Sequence, residues 1–467
     1  MSDVVQSEII LAPTPSAPTL SGKKFFMNFP VTETSHTLAE YRARGGYQSL
    51  EKALRTMTPS DVTKEVSASG ILGHGGAAFP AGRKWSVIKL TDGEPHYVCM
   101  NADEGEPGTF KDRWLLENVP HMCIEGLVLG SYALMGRHAF IYIRGEFDLS
   151  YRRMADAIEE AYDAGLLGKN ILGTEYSCDV VLYRGAGSYV CGEASAMLAS
   201  LEGKKGWPRN RPPRLTVKGL YQKPTVVNNV ETLANVPIIL AMGAAEFKKV
   251  GMPKSPGTQM ISISGHLNKP GVYEVEYGYS WEKFIYEDCG GIQGGRALKC
   301  IIPGGVSTKI LSADEIKGVT LDHLTAVAAG SQLGSGGMMV IAEGTCIVRL
   351  AQVIQRFYHH ESCGQCTPCR EGMGWMQRVL DRIVAGGGRA EDIDRLYHIS
   401  NANDGTTICS LGDSAGYAIT ALLDHYRDEF EYYILNGHSM LGGQLTVEDP
   451  FFEALSATAL NATAVTA

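Results

Sequence analysis

Four of the eleven cysteines lie near the carboxyl end of the chain with the spacing of metal ligands. Cys363, Cys366 and Cys369 are three residues apart, and Cys409 follows forty residues later. Three closely spaced thiolates with one distant partner are typical of a [4Fe–4S] cluster. Zinc also takes four cysteines but normally uses two C-x2-C pairs, and a chance grouping of free core cysteines is a further interpretation. The spacing therefore predicts a metal centre, with the iron–sulfur cluster favoured over zinc.

A glycine-rich segment over residues 70–80 contains the spacing G-x-G-x-x-A, which also occurs in dinucleotide-binding loops. A dinucleotide fingerprint requires a strand before it. Here the preceding residues have helical periodicity from a predicted N-cap at Ser60, so the segment alone predicts a loop that ends a helix. Lys84 follows at a distance from which its ammonium can reach a phosphate.

An acidic segment over residues 101–112 follows the first predicted strand. Its carboxylates Asp103, Glu104 and Glu106 lie beyond the carboxyl end of that strand, where α/β sheets bind ligands. Carboxylates at this place can accept hydrogen bonds from ribose hydroxyls or a carboxamide. A solvated acidic loop is the alternative interpretation.

Two further segments carry groups suited to a phosphate or a polar ring. Residues 185–193 follow another predicted strand and open a helix, whose first N–H groups favour a phosphate. Cys191 in this segment is predicted to be a packed core thiol, since it has no cysteine nearby. Residues 224–232 include Asn228 and Asn229, which can hydrogen-bond a ligand but also form an ordinary turn pair.

The elements that must position these segments divide the chain into regions. Residues 1–80 combine a leader with a helical and glycine-rich segment. Alternation of short apolar runs and helical periodicity over 81–250 predicts an α/β domain with a largely parallel sheet. Strand-like alternation over 251–340 predicts a small α+β domain, and amphipathic segments over 341–449 predict a helix bundle. Residues 450–467 are expected to be a flexible tail.

Composition excludes several functional classes. The 467 residues include 42 Lys and Arg and 51 Asp and Glu, a formal charge of −9, so general nucleic-acid binding is not expected. No window offers the roughly 20 apolar residues of a membrane span. The N-terminus lacks the basic start of a secretory signal, and the odd cysteine count argues against full disulfide pairing. A cytoplasmic setting is therefore expected.

Together and in this order, the segments resemble the family of the NADH- and FMN-binding flavoprotein subunit of respiratory complex I (NADH:quinone oxidoreductase). The match runs from about Tyr41 to Phe430. It rests on GHGGAAFPAGRKWS, NADEGEPGTFKDR, GAGSYVCGE, KPTVVNNVETL, ESCGQCTPCREG and GTTICSLGD. The resemblance implies a multidomain α/β protein with a Rossmann-like FMN-binding domain, a ubiquitin-like (β-grasp) domain and a C-terminal four-helix bundle.

The resemblance also implies the site residues. Phe79 would stack on the nicotinamide nucleotide, which Glu106 and Lys84, the implied catalytic residues, would help to position. The four cysteines would ligate the [4Fe–4S] cluster. The implied residues for FMN and NADH are Gly73, His74, Gly75, Gly76, Phe79, Lys84, Asn101, Asp103, Glu104, Glu106, Tyr189, Gly192, Glu193, Ala194, Arg211, Arg214, Val227, Asn228, Asn229 and Thr232.

The implied activity is NADH oxidation, with hydride passing to FMN and single electrons to the cluster and on to the quinone-reducing chain. The hydride step needs orientation and stacking rather than a protein acid or base. The implied partners are a small thioredoxin-like [2Fe–2S] subunit and a large multi-cluster iron–sulfur subunit. Membrane contact, on the cytoplasmic face of the inner membrane, would be made only through other subunits.

Four positions depart from the family pattern, all near the nucleotide. His74 replaces an arginine, Ala194 a second glutamate, Val87 an aromatic residue and Arg214 a phenylalanine. An acid repels a 2′-phosphate and an arginine attracts one. We therefore expect NADH to remain the donor, with weaker rejection of NADPH.

Two other functions remain open. The diaphorase subunit of an NAD-linked hydrogenase or formate dehydrogenase shares all the motifs, although such relatives often carry extra cluster domains for which this length leaves no room. A non-catalytic assembly subunit that keeps a structural metal is the second alternative. The flavin-binding residues argue against it.

Overall fold

The computed structural model describes residues 22–91 and 93–441. The predicted tail and most of the leader lie outside these residues. Four helices precede the first strand: α1 Leu38–Ala43, α2 Gln48–Thr56, α3 Pro59–Ser69 and α4 Ala81–Ser86. Residues of α1 to α4 share one apolar core with the sheet that follows.

Helix α3 begins earlier than its predicted N-cap. Thr58 caps it, accepting from the Asp61 N–H while Asp61 reaches back to the Thr58 N–H, and Pro59 occupies the first helical position. The prediction of Ser60 as the N-cap is therefore wrong. The helix ends at Ser69 because Gly70 adopts a left-handed φ of 71°.

The first sheet is parallel and has four strands in the order β3-β2-β1-β4. Its strands are β1 Tyr97–Ala102, β2 His138–Ile143, β3 Asp179–Arg184 and β4 Thr225–Asn229. The first three confirm the predicted apolar runs, whereas β4 was not predicted. Because the chain leaves β1 toward β2 on one side and β4 pairs on its other side, the carboxyl end of β1 is a topological switch point.

The helices of this region are α5 Lys111–Asn118, α6 Pro120–Ala133, α7 Asp148–Asp163, α8 Ala194–Leu201, α9 Val230–Met242 and α10 Ala244–Phe247. Among them α6, α7 and α9 lie against strands of the sheet. Helices α6 and α9 pack closely, since a Cβ at Gly126 would lie 2.0 Å from the Leu233 carbonyl oxygen. This approach requires glycine at position 126.

The second sheet is mixed and follows a short hairpin of β5 Gly251–Met252 and β6 Ser255–Pro256. Its strands are β7 Thr258–Gly265, β8 Gly271–Glu276, β9 Leu298–Ile302, β10 Leu311–Ser312 and β11 Gly337–Ala342. In the order β10-β9-β11-β7-β8, only β11 and β7 pair in parallel. Helix α11 Trp281–Lys283 continues into a π-helical turn, and α12 His323–Ala328 follows later. The predicted α+β composition is confirmed.

The carboxyl-terminal region is helical, as predicted. It contains α13 Ile347–Glu361, α14 Thr367–Arg382, α15 Asp392–Asn403 and α16 Leu411–Asn436, which pack around a shared apolar core. The three closely spaced cysteines connect α13 to α14 and enter the first turn of α14, and Cys409 lies just before α16. Within the described part of the chain, no helix combines the length and apolar character needed to cross a membrane.

Candidate functional site

A cavity of about 490 Å³ opens beyond the carboxyl end of β1. Its volume lies within the range of small-molecule and cofactor sites. Many of the predicted site residues line it, namely His74, Gly75, Gly76, Asn101, Asp103, Glu104, Glu106, Tyr189, Gly192, Glu193 and Asn229. The structure thus brings several separate sequence segments to one place.

The glycine-rich loop forms one wall of this cavity. It follows α3 rather than a strand, as predicted, and the Gly73 N–H donates to the Phe79 carbonyl at 3.0 Å. The His74 N–H donates to Thr232 Oγ1 at 2.9 Å, which fixes the loop against α9. A Cβ at Gly75 would lie 3.2 Å from the Asn229 Cβ, so the loop approaches the opposite wall closely.

Asp103 offers an acceptor to the cavity. Its Oδ2 is buried and has no hydrogen-bond partner in the described structure. Burial raises the pKa of Asp103 to about 7, although Arg144 opposes the rise. An unpartnered buried oxygen costs free energy unless a ligand donates to it. A hydroxyl or N–H of a bound group is the natural donor.

Glu104 and Glu106 have different roles from Asp103. Both oxygens of Glu104 accept backbone N–H groups, from Asp112 at 2.8 Å and Arg113 at 3.0 Å, so this side chain holds the start of α5. Glu106 accepts from the Tyr189 hydroxyl at 2.6 Å and the Ser307 N–H at 2.8 Å. Burial raises the pKa of Glu106 above its ordinary value.

The start of α8 does not offer free N–H groups to a phosphate. The Glu193 carboxylate accepts from the Ser195 and Ala196 N–H groups and caps the helix. The expectation that these N–H groups favour a phosphate is therefore wrong. Arg211 pairs with Glu193 at 2.8 Å. Cys191 is buried among apolar side chains, which confirms its prediction as a core thiol.

Several predicted residues do not line the cavity. Lys84 Nζ donates to the Val227 carbonyl at 2.9 Å, and the Trp85 indole donates to Asn228 Oδ1 at 2.9 Å. Burial, followed by the nearby Arg211, lowers the pKa of Lys84. The remaining residues outside the lining are Gly73, Phe79, Ala194, Arg211, Arg214 and Thr232, and Phe79 is 43% exposed.

Later parts of the chain supply cavity residues that the sequence did not predict. Ser307, Gln332 and Ser335 come from loops of the second sheet. Lys111 lines the same cavity but is fully buried in a cluster with Asp112. Lys111 belongs to the motif NADEGEPGTFKDR, in which the adjacent Lys111 and Asp112 could have indicated an ion pair at the site. The serines had no sequence signal, because only the packing of the second sheet and its loops against the acidic segment and α5 brings them here.

The four predicted cysteines border a second, small cavity. The Ile408 N–H donates to Cys366 Sγ at 3.4 Å, and Ser362 Oγ lies 3.2 Å from Cys369 Sγ. All four are free thiols. In residues 22–91 and 93–441 no three His, Cys, Asp or Glu side chains surround a single ion position, and the four thiols instead share the border of one space.

The two cavities adjoin. Val190, Cys409 and Leu411 line both of them. The Tyr189 N–H donates to Glu361 Oε2 at 3.0 Å, which ties the loop of the larger cavity to the end of α13. A group held by the cysteines would therefore lie next to a group held in the larger cavity.

Comparisons with known families agree with this geometry. Residues 66–238 match the model of the Nuo51 FMN-binding domain, and residues 349–433 match the NADH-ubiquinone oxidoreductase-F iron–sulfur binding region. The first range contains the glycine-rich, acidic and Asn-Asn segments, and the second contains all four cysteines. These matches confirm the predicted FMN and iron–sulfur cofactors, and they decide against zinc.

Relatives resemble the chain over most of its length. An F subunit of the NADH-quinone oxidoreductase of Rhizobium meliloti, the one numbered 2, is 49% identical over 85% of this chain and 94% of its own. The F subunit of the Streptomyces coelicolor oxidoreductase is 47% identical over 86% and 89%. A crystal structure of an NAD⁺-reducing [NiFe]-hydrogenase matches with a TM-score of 0.74 and 33% identity over 82% of this chain and 66% of that one. The chain belongs to the family of F subunits of NADH-quinone oxidoreductase.

Proposed function

We propose that this protein oxidises NADH, passing hydride to FMN and single electrons to a [4Fe–4S] cluster and onward to a quinone-reducing chain. The observation that carries the proposal is the shared border of the two cavities at Cys409. When bound, FMN supplies the conversion between hydride and single electrons. The residues of the chain would hold FMN and the cluster next to each other.

Residues of the larger cavity fit FMN. The cavity volume is suitable for a cofactor, and Asp103 Oδ2 is an acceptor without a donor in the described structure. The glycine-rich loop has no bulky side chain at Gly75, so its backbone can approach a ligand closely. We assign direct FMN contact to Gly75, Gly76, Asn101, Asp103 and Asn229. Five other implied residues do not line the cavity and would support the lining residues, namely Gly73, Lys84, Val227, Asn228 and Thr232.

The small cavity bordered by the cysteines fits the cluster. Cys363, Cys366, Cys369 and Cys409 supply four ligands, and the Ile408 N–H already donates to a ligand sulfur. Donors of this kind tune the potential of an iron–sulfur cluster. We assign all four cysteines as ligands.

The nucleotide would bind at the open side of the flavin cavity. Phe79 is exposed and can stack on it, and Glu106 is held in place by Tyr189 and Ser307 to orient it. Arg211 pairs with Glu193 at the cavity wall. Ala194 and Arg214 are the neighbouring residues that would affect tolerance of a 2′-phosphate on the nucleotide. The remaining residues that the resemblance implies for FMN and NADH are His74, Glu104, Tyr189 and Gly192.

We further infer the finer organisation of the chain. The parallel β3-β2-β1-β4 sheet supports a Rossmann-like domain over 81–250, and the mixed sheet with its β7–β8 hairpin supports a ubiquitin-like domain over 251–340. The four carboxyl-terminal helices support a four-helix bundle over 341–449. Within the segment 1–80, the described helices pack on the first of these domains.

The partners we propose are a thioredoxin-like [2Fe–2S] subunit and a large multi-cluster iron–sulfur subunit. The relatives are named as subunits of NADH-quinone oxidoreductase, which supports a multi-subunit complex. Contact with the cytoplasmic face of the inner membrane would be made through those subunits.

One alternative is supported by a specific observation. The structural match to an NAD⁺-reducing hydrogenase favours a diaphorase role toward a different final acceptor. Reduction of quinone by NADH in the purified complex would favour the respiratory role, and hydrogen-dependent reduction of NAD⁺ would favour the alternative.

An anaerobic titration of the loaded protein with NADH tests the proposal. We expect flavin absorbance to bleach and the electron paramagnetic resonance signal of the reduced cluster to appear in the same titration. Bleaching without cluster reduction would contradict the proposed path between the cavities. A protein that stays colourless after anaerobic reconstitution would instead support the non-catalytic assembly role.

A further inference from the structure

A buried ion cluster that the proposed function does not use lies against the larger cavity. Lys111 Nζ is 2.7 Å from Asp112 Oδ1 and 2.6 Å from Glu231 Oε2. All three side chains are buried, and Lys111 and Asp112 line the cavity. We call these residues the Lys111 triad. A buried side chain stays charged only where a partner compensates for its lost hydration. Here the ammonium of Lys111 is the partner of both carboxylates.

The charge of this triad is not balanced by its surroundings. His74 Nδ1 lies 3.8 Å from Glu231 Oε1, but burial, followed by the nearby Lys111, lowers the pKa of His74 to about 3, so its ring is neutral. Burial, followed by Asp112, raises the pKa of Glu104 to about 8. Among the described residues that line the cavity, Lys111 is the single Lys or Arg. All four carboxyl oxygens of Asp112 and Glu231 face an N–H donor, which favours their ionised forms. One ammonium therefore faces two carboxylates, a net charge of −1.

Burial and pairing act in opposite directions on those carboxyl groups. Burial raises the pKa values of Asp112 and Glu231, and the ammonium of Lys111 opposes the rise. The same carboxylates raise the pKa of Lys111, outweighing the effect of its burial. Lys111 thus stays protonated, and its ammonium favours the charged forms of Asp112 and Glu231.

The triad also holds a cavity side chain in one orientation. Asp112 Oδ2 accepts from Asn229 Nδ2 at 2.5 Å, and the Glu231 N–H donates to Asn229 Oδ1 at 3.0 Å. Both ends of this amide are therefore fixed. Glu231 Oε1 accepts from the Met260 N–H at 2.8 Å, which anchors the arrangement to β7 of the second sheet.

We propose that Lys111, Asp112 and Glu231 form a positioning group for bound FMN, which fixes the Asn229 amide at the cavity wall and sets the flavin reduction potential through its net charge. The inference rests on the proposed function. Reduction adds negative charge to the flavin, and a nearby charge in a poorly solvated site acts on it strongly. A more negative triad therefore lowers the potential, and a less negative one raises it.

Two variants of the loaded protein separate charge from position. Glu231→Gln keeps the Lys111–Asp112 pair and makes the triad charge zero. Lys111→Met leaves two buried carboxyl groups without a cation, so one of them takes up a proton and the triad charge stays near −1. We expect the flavin midpoint potential to rise above wild type in Glu231→Gln and to stay near wild type in Lys111→Met. We also expect FMN to dissociate about tenfold more easily from Lys111→Met, because Asp112 loses the partner that orients it toward Asn229.

Lys299→Met is the matched control. Lys299 and Glu429 form another buried ion pair, and neither residue lines the cavity. This variant should lower thermal stability without moving the flavin potential. If Lys111→Met does not fold, the comparison of Glu231→Gln with wild type still tests the inference.

Two results would overturn this role while leaving the proposed function intact. One is a flavin potential that is the same in wild type and in Glu231→Gln, with both proteins binding and reducing FMN. The other is a potential that shifts equally in the Lys299→Met control, since the shift would then follow stability rather than local charge. Wild-type protein that binds no FMN would contradict the proposed function itself.

Discussion

The hydroxyl of Tyr189 donates a 2.6 Å hydrogen bond to Oε2 of Glu106, which joins the loop after β3 to the acidic segment after β1 across the cavity. The Ser307 N–H holds the other carboxylate oxygen of Glu106. A carboxylate fixed at both oxygens keeps one orientation. Tyr189 therefore helps to fix the orientation of the Glu106 carboxyl group, which we propose orients the nucleotide.

Removing that hydroxyl should weaken nucleotide binding and shift its pH dependence. The bond to Tyr189 lowers the pKa of Glu106, against the larger upward effect of burial, so Tyr189→Phe should raise this pKa further. Loss of a hydrogen bond to a charged group costs about 1.5–3 kcal/mol. We expect KM for NADH to rise and the acidic limb of kcat/KM to move to higher pH. An unchanged pH profile with normal flavin content would contradict this role for Tyr189.

Replacing the shared cysteine should break the electron path after the flavin. Cys409→Ser removes a proposed cluster ligand that borders both cavities. We expect iron content and the cluster signal in paramagnetic resonance to fall, while NADH still bleaches the flavin. Cys191→Ser is the control, because Cys191 is a buried thiol that does not border the small cavity. Full cluster occupancy in Cys409→Ser would show that this thiol is not a ligand.

Asp103 should make the flavin-free protein less stable as the pH rises. Its pKa in the folded protein, about 7, exceeds the ordinary value of 3.8, so the folded state holds a proton that the unfolded chain has lost. Stability therefore falls between about pH 4 and pH 7, by up to about 4 kcal/mol. Asp103→Asn should flatten this part of the curve of Tm against pH and should weaken FMN binding. A curve parallel to wild type would exclude the effect.

The choice between NADH and NADPH should depend on the neighbours of Glu193. Ala194 adds no acid beside it, and Arg211 and Arg214 supply positive charge on an adjoining loop. We expect weaker rejection of NADPH than an added acid would give, so Ala194→Glu should lower kcat/KM for NADPH by about tenfold, or about 1.4 kcal/mol, with little change for NADH. Equal rejection of NADPH by both proteins would contradict the hypothesis.

Much of the fold could be predicted from the sequence because local patterns control it. The three apolar runs of the first sheet and the amphipathic carboxyl-terminal helices appear where expected. Strand β4 was missed because its two asparagines resemble a turn pair, although they end a buried strand. Ser60 also suits an N-cap by residue type, and the capping box of Thr58 with Asp61 places the start of the helix earlier.

The candidate site was predictable in its composition more than in its arrangement. Motifs identified Asp103 and the cysteines, but the use of Glu104 and Glu193 as helix caps depends on local backbone geometry. Ser307 reaches the cavity only because the second sheet and its loops pack against α5 and the acidic segment. Such contacts join segments about 200 residues apart in the chain, and no local pattern encodes them.

The hydrogen bond from the Tyr189 N–H to Glu361 has a consequence for maturation of the protein. It joins the loop that lines the flavin cavity to the segment that carries three of the cysteines, so a change of conformation at one site is transmitted to the other. Coupling between two sites is reciprocal, and the factor by which the cluster tightens flavin retention equals the factor by which the flavin tightens cluster retention.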